Sequence, residues 1–159
     1  MNNPYSNIKE SHLAYIAGFL DGEGTISIVK VKRKDRERSY SSPYYRPILV
    51  INNTNREILE WIKSVFGAGQ VNLVARKEMG RKPVYRWIVG NAVAIQIAEI
   101  LYPHLRVKKL QADVVMQYKS TVPSKYNVYG NKGLPIEIIK ERDSFVETLR
   151  CLNKRGLSN

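Results

Sequence analysis

Two carboxylates flanking one glycine, Asp21-Gly22-Glu23, are the residues of this chain best placed to do chemistry. They follow Leu13, Ile16, Ala17 and Leu20, whose spacing is that of one apolar helix face, so both acids fall at a helix C-terminus. That end of the helix dipole is negative and disfavours each anion by about 0.3–1 kcal/mol, an objection that a bound cation reverses. Ala14, Gly18 and Gly22 recur every four residues, a stripe of small side chains that lets another backbone come close. Glycine inside a helix costs ~1 kcal/mol relative to alanine unless packing compensates. Breaking two local rules within one short segment is typical of a site. The same residues also read as a tight turn, with Gly22 and Gly24 bending the chain and both acids solvated. Local physics leaves the two readings open.

The elements that must position these residues follow from periodicity and punctuation. Ser11 is the expected N-cap of a helix over His12–Leu20. Two strands are expected over Thr25–Lys32 and Tyr44–Asn52, joined by a basic segment that ends at Pro43. Thr54 and Glu57 form a capping-box pair opening a helix that buries Ile58, Leu59, Ile62, Val65 and Phe66 and stops at Gly67. A second strand pair reads over Gln70–Lys77 and Val84–Val89. Asn91 caps a short apolar helix ending before Pro103, and another helix covers Leu105–Tyr118. After a loop over Ser120–Leu134, Pro135 starts a last helix with Ile138, Phe145, Leu149 and Leu152 as its stripe, closed by Gly156. The order is αββαββα plus two C-terminal helices. It predicts one α+β domain over residues 1–159, with a core of about 11–119 and an extension of about 135–155.

Twenty-six Lys and Arg against fourteen Asp and Glu give a net charge of +12, which points to a polyanionic partner. The charge is clustered: Lys30, Lys32, Arg33, Lys34, Arg36, Arg38 and Arg46 in one stretch, Arg76, Lys77, Arg81, Lys82 and Arg86 in another. Tyr40, Tyr44, Tyr45 and Tyr85 are interleaved with it. The clusters fall on strands and turns rather than on a basic amphipathic helix, and no apolar run approaches the ~18 residues that span a bilayer, so a membrane partner is not expected. The polar Met1–Glu10 segment lacks the apolar centre of a signal peptide, and the single Cys151 makes no internal disulfide, so an intracellular setting is expected.

Ile16-Ala17-Gly18-Phe19-Leu20-Asp21-Gly22-Glu23-Gly24 resembles the LAGLIDADG motif of homing endonucleases, with Glu in place of its second Asp. Two further segments are similar to that family in type and order: Asn52-Asn53-Thr54-Asn55-Arg56-Glu57-Ile58-Leu59 and Leu101-Tyr102-Pro103-His104-Leu105-Arg106-Val107-Lys108-Lys109. The resemblance covers about Ser11 to Met116 and leaves the tail uncovered.

The resemblance implies the αββαββα endonuclease fold with a four-stranded antiparallel DNA-binding sheet. It implies a homodimer whose interface is the motif helix, with Ala14, Ala17, Gly18 and Gly22 facing their copies. Glu23, with Gly22, would hold metal, and Asp21 would shape the helix end. Lys108 would lie near the scissile phosphate, and Arg56 and Asn52 would order water around the metals. The implied cofactor is Mg²⁺, two or three ions per dimer, with Mn²⁺ as a substitute. The implied reaction is cleavage of double-stranded DNA at a long, near-palindromic target, leaving short 3′ overhangs. Base-reading candidates on the strands are Ser27, Arg33, Arg46, Asn72, Arg76, Tyr85 and Trp87, with core packing an equal alternative for Trp87. A non-cleaving nucleic-acid-binding protein on the same scaffold, an RNA maturase or a regulator, is the alternative; Glu23 and Lys108 together favour the nuclease.

Overall fold

The computed structural model describes residues 4–31, 42–74, 82–123 and 133–154. Lys32, Arg33, Lys34, Arg36, Arg38, Tyr40, Arg76, Lys77, Arg81 and Gly156 lie outside them, as does the end of the strand expected to reach Lys77. Along the chain come α1 (Glu10–Glu23), β1 (Gly24–Val31), β2 (Tyr44–Asn53), α2 (Arg56–Phe66), β3 (Gln70–Val74), β4 (Val84–Gly90), α3 (Asn91–Leu101), α4 (Lys109–Tyr118) and α5 (Ile136–Leu152). The expected αββαββα order with two added helices is the order found.

The four strands form one antiparallel sheet in the order β1-β2-β4-β3. Side chains alternate between the faces of a strand, so the pairs Ile26↔Leu49, Leu49↔Val89 and Ile51↔Trp87 assign one face to the core. Ile26, Leu49, Ile51 and Trp87 on that face are wholly buried beneath helices that contribute Ile16, Leu20, Leu59, Ile62, Ile97 and Leu101. Thr25, Ser27, Arg46, Asn52, Gln70, Asn72 and Arg86 take the opposite parity and line the open face. Pro47 stands on a central strand without breaking the ladder, because the β2–β4 pairing begins one residue later, at Ile48↔Gly90.

Helix ends differ from their sequence expectations by one to four residues. Helix α1 begins at Glu10, with Lys9 rather than Ser11 at its N-cap. Asn55, not Thr54, caps α2, its side chain accepting the Ile58 N–H at 3.3 Å while Asn53 accepts the Asn55 N–H. Gly67 ends α2 in the left-handed conformation at φ 59°, where glycine pays no Cβ penalty. Asn91 does not cap α3 but is its first residue, with Gly90 at the N-cap and Asn91 itself at φ 60°. The helix expected from Leu105 starts only at Lys109, after a 3-10 turn over Tyr102–His104.

Helix α5 is bound to the underside of β1 and β2 by a polar group. The Asp143 carboxylate accepts the Lys30 ammonium at 2.6 and 2.9 Å and the Tyr45 hydroxyl at 2.7 Å. The Arg142 guanidinium lies over the rings of Tyr45 and Tyr118 and donates to the Thr121 hydroxyl and carbonyl. Asn153 then donates to the Ile26 carbonyl on edge strand β1.

Candidate nucleic-acid interface and metal-binding end of the first helix

The two acids of the motif part company. Asp21 turns inward: one carboxylate oxygen accepts the N–H groups of Arg106 (2.7 Å) and Val107 (3.1 Å), the other that of Lys108 (2.8 Å). These donors lead into the N-terminus of α4, whose positive dipole end offsets the penalty at the C-terminus of α1. The Lys108 ammonium bonds the Asp21 carbonyl, placing a cation on the last turn of α1, which has no basic residue of its own. Glu23 is the last residue of α1 and is exposed. Gly24 lets the chain pass straight into β1, since a Cβ there would stand 2.6 Å from the Leu20 carbonyl oxygen.

Among the described residues, no group of three His, Cys, Asp or Glu is gathered in one chain. The Glu23 carboxylate and the Gly22 carbonyl, the ligands the resemblance implies, are oxygen groups of the kind a hard divalent cation takes. One chain therefore presents a single exposed carboxylate here, and a second copy would add the second.

Along α1, Ala14, Gly18 and Gly22 are exposed, and a Cβ at Gly18 or Gly22 would meet nothing within 4 Å. Tyr15, 53% exposed, stands beside this stripe, packed on Phe19 and Trp61. Ala17 does not belong to the stripe. It is wholly buried in the chain's own core with Ile16 and Leu20, which corrects its expected place at an interface between copies.

Asn52 follows the Gly24↔Ile51 pair, so it stands at the same end of the sheet as Glu23. Its side-chain oxygen accepts the Arg86 Nε–H at 2.9 Å. Arg56 is engaged elsewhere, paired with Glu60 at 3.1 Å and lying over the Tyr85 ring. Glu23, Lys108 and Asn52 are thus brought to one end of the molecule, whereas Arg56 is turned to the helix side.

The open face holds Ser27, Arg46 and Asn72 of the expected base-reading set. Trp87 and Tyr85 are corrections. Trp87 is wholly buried, its indole N–H bonded to the Ala68 carbonyl at 3.1 Å and its ring stacked on Phe66, so it has no surface to offer DNA. Tyr85 shares its parity and faces α2. Arg86 and Gln70, which the sequence reading missed, take the open face in their place. A strand anchored by a buried tryptophan directs its even-numbered neighbours outward, and that was the available signal.

A family described as LAGLIDADG endonuclease matches residues 16–122. Among solved structures, I-CvuI, a homing endonuclease in complex with its target in the presence of Ca, is 22% identical. The match covers 94% of this chain and 86% of that one, with a TM-score of 0.71. The archaeal intron-encoded homing endonuclease I-Vdi141I, complexed with DNA, is 23% identical over 94% of this chain and 89% of that one, with a TM-score of 0.67. The LAGLIDADG homing endonuclease I-GzeII, in complex with a DNA target, is 20% identical with a TM-score of 0.57; 92% of this chain matches 46% of that longer one. These likenesses establish the fold.

Proposed function

The chain belongs to the LAGLIDADG endonuclease family, and from that premise we propose that it is a homodimeric, metal-dependent enzyme that cuts double-stranded DNA at one long, near-palindromic site and leaves short 3′ overhangs. The observation that carries this reading is the division of labour within the motif. Asp21 is consumed by three backbone N–H groups, and Glu23, two residues further along the helix, remains exposed. A carboxylate with only a structural task would be expected to resemble Asp21.

The stripe of Ala14, Gly18 and Gly22 supports close pairing of two α1 helices about a two-fold axis, which sets the two Glu23 side chains together. The match of this chain to about half of I-GzeII supports a working unit of two such folds. Two or three Mg²⁺ ions per dimer, or Mn²⁺ in their place, would supply an activated water and charge neutralisation on the attacking and leaving oxygens. The chain's own residues do the rest. Glu23 and the Gly22 carbonyl hold the ions, and the Lys108 ammonium adds positive charge beside them. Asn52 and Arg56 are assigned to the surrounding water, Arg56 after leaving its contact with Glu60. The open face of each sheet lies in a major groove, with Ser27, Arg46 and Asn72 against base edges and phosphates. Arg33 and Arg76 extend this set outside the described residues. The net charge of +12 supports a polyanionic substrate.

The test is Glu23→Gln, which keeps the size and removes the charge. It should bind the target at least as tightly as the parent and lose cleavage in Mg²⁺. An E23Q protein that cut at the parental rate would place the site elsewhere. A parent that bound a defined sequence and never cut it would leave the maturase or regulator reading.

A further inference from the structure

Among the described residues the open face carries two arginines, Arg46 on β2 and Arg86 on β4. Their settings differ. The register places Asn52 one residue beyond the Gly24↔Ile51 pair, then Arg86 opposite Asn52, then Asn72 opposite Arg86, a polar row across the sheet at the end where Glu23 leads into β1. Arg46 lies six residues back along β2, roughly 20 Å away at the rise of an extended strand. It rests against Gly90, where a Cβ would stand 2.5 Å from its Nε.

We infer that Arg86 is a specificity-determining residue that recognises a guanine close to the cut in each half-site, with Asn52 as the residue that holds its guanidinium in position. The inference rests on the proposed DNA-cutting function and names a recognition element within it. An arginine that reads guanine does so through two parallel N–H groups directed at O6 and N7. The Arg86 Nε–H is already donated to Asn52 at 2.9 Å, which fixes the plane of the group. The terminal edge formed by its two NH₂ groups is left for a ligand, and the side chain is exposed. A long side chain restrained before binding loses less freedom on binding, so a restrained arginine discriminates better than a loose one. Asn72 on the adjoining strand flanks the same position and offers an amide that pairs with adenine.

The experiment is selection of bound duplexes from a randomised library by the full chain with Ca²⁺ in place of Mg²⁺, followed by sequencing. The parent should enrich guanine about tenfold or more at one symmetric pair of positions near the centre of the site. Arg86→Lys keeps the charge and loses the fork, so that preference should vanish while the outer positions and the salt dependence of binding persist. Asn52→Ala should weaken the preference at the same pair, and Arg46→Lys should alter a more distant pair. An R86K protein that selects the same central bases overturns the assignment. So does one that selects nothing, because Arg86 would then support the whole surface rather than one base pair. A parent that enriches no sequence overturns the DNA-cutting reading together with this one.

Discussion

The Asp21 carboxylate accepts the backbone N–H of Lys108 at 2.8 Å, and the ammonium of the same lysine turns back onto the Asp21 carbonyl. The end of α1 and the start of α4 are thereby clasped in both directions by two residues 87 positions apart in sequence. Asp21→Asn keeps an oxygen but removes the charge that three donors share. Hydrogen bonds to a charged group contribute about 1.5–3 kcal/mol each, so the variant should lose on the order of 2 kcal/mol of stability. Thermal unfolding measures this, and metal affinity should change far less. An unchanged melting temperature would remove Asp21 from its structural role.

Gly18→Leu should have opposite effects on folding and on assembly. Within one chain nothing lies within 4 Å of a Cβ at position 18, and leucine is favoured over glycine in a helix by somewhat under 1 kcal/mol. The isolated chain should fold at least as stably as the parent. Two α1 helices meeting at this stripe would be forced apart, so sedimentation should show monomers and cleavage should cease. A G18L dimer with full activity would locate the interface elsewhere.

Trp87 distinguishes a core residue from a base-reading one. Trp87→Ala removes a wholly buried ring and should cost about 3–5 kcal/mol in urea unfolding. Trp87→Phe should cost less, chiefly through the hydrogen bond lost at the Ala68 carbonyl. Trp87→Phe should leave the order of preferred target bases unchanged. A selective change at one base position would return Trp87 to the interface.

The attachment of α5 should be pH-dependent on both sides. Burial raises the Asp143 pKa, but the hydrogen bonds from Lys30 and Tyr45 and the Lys30 charge outweigh it, so the net shift is downward. A lowered folded pKa contributes stability that is present above the ordinary carboxylate range, near 3.8, and is lost as pH falls through the folded value. Tyr45 is shifted upward, first by burial and then by its bond to Asp143, so its contribution holds below about pH 10 and declines above it. Asp143→Asn should flatten the acid limb of a stability-versus-pH curve. A parental acid limb retained in D143N would assign it to other carboxylates.

Much of the fold was legible because it depends on spacing. Each strand pair and each apolar stripe announced itself through a period of two or of 3.6 residues, and the strand limits agree to a residue or so where they are described. What spacing could not supply was which face of a strand is inward, a choice reversed by a slip of one position. Tyr85 and Trp87 were offered as outward candidates for that reason, and Arg86 between them, counted in a basic cluster, was left out of the base-reading set. Ala17 failed differently: a small residue on α1 suits either a tight core or a close interface, and only the packing of Ile16 and Leu20 decides. The separate fates of Asp21 and Glu23 followed from family resemblance rather than from local physics, because the three N–H groups that claim Asp21 arrive from residues more than eighty positions away.

The bond from Asn153 to the Ile26 carbonyl gives the C-terminal helix a meaning that its sequence does not advertise. The family match stops at residue 122, yet the outer edge of β1 is covered by a residue thirty-one positions later. The family match and the folding unit of this chain are therefore different lengths. A shortened chain cut where the family match ends would keep the motif and the sheet but leave an open strand edge, a template for pairing with other molecules. Grafting this endonuclease fold into another protein requires carrying the tail along, since the tail keeps the sheet from becoming adhesive.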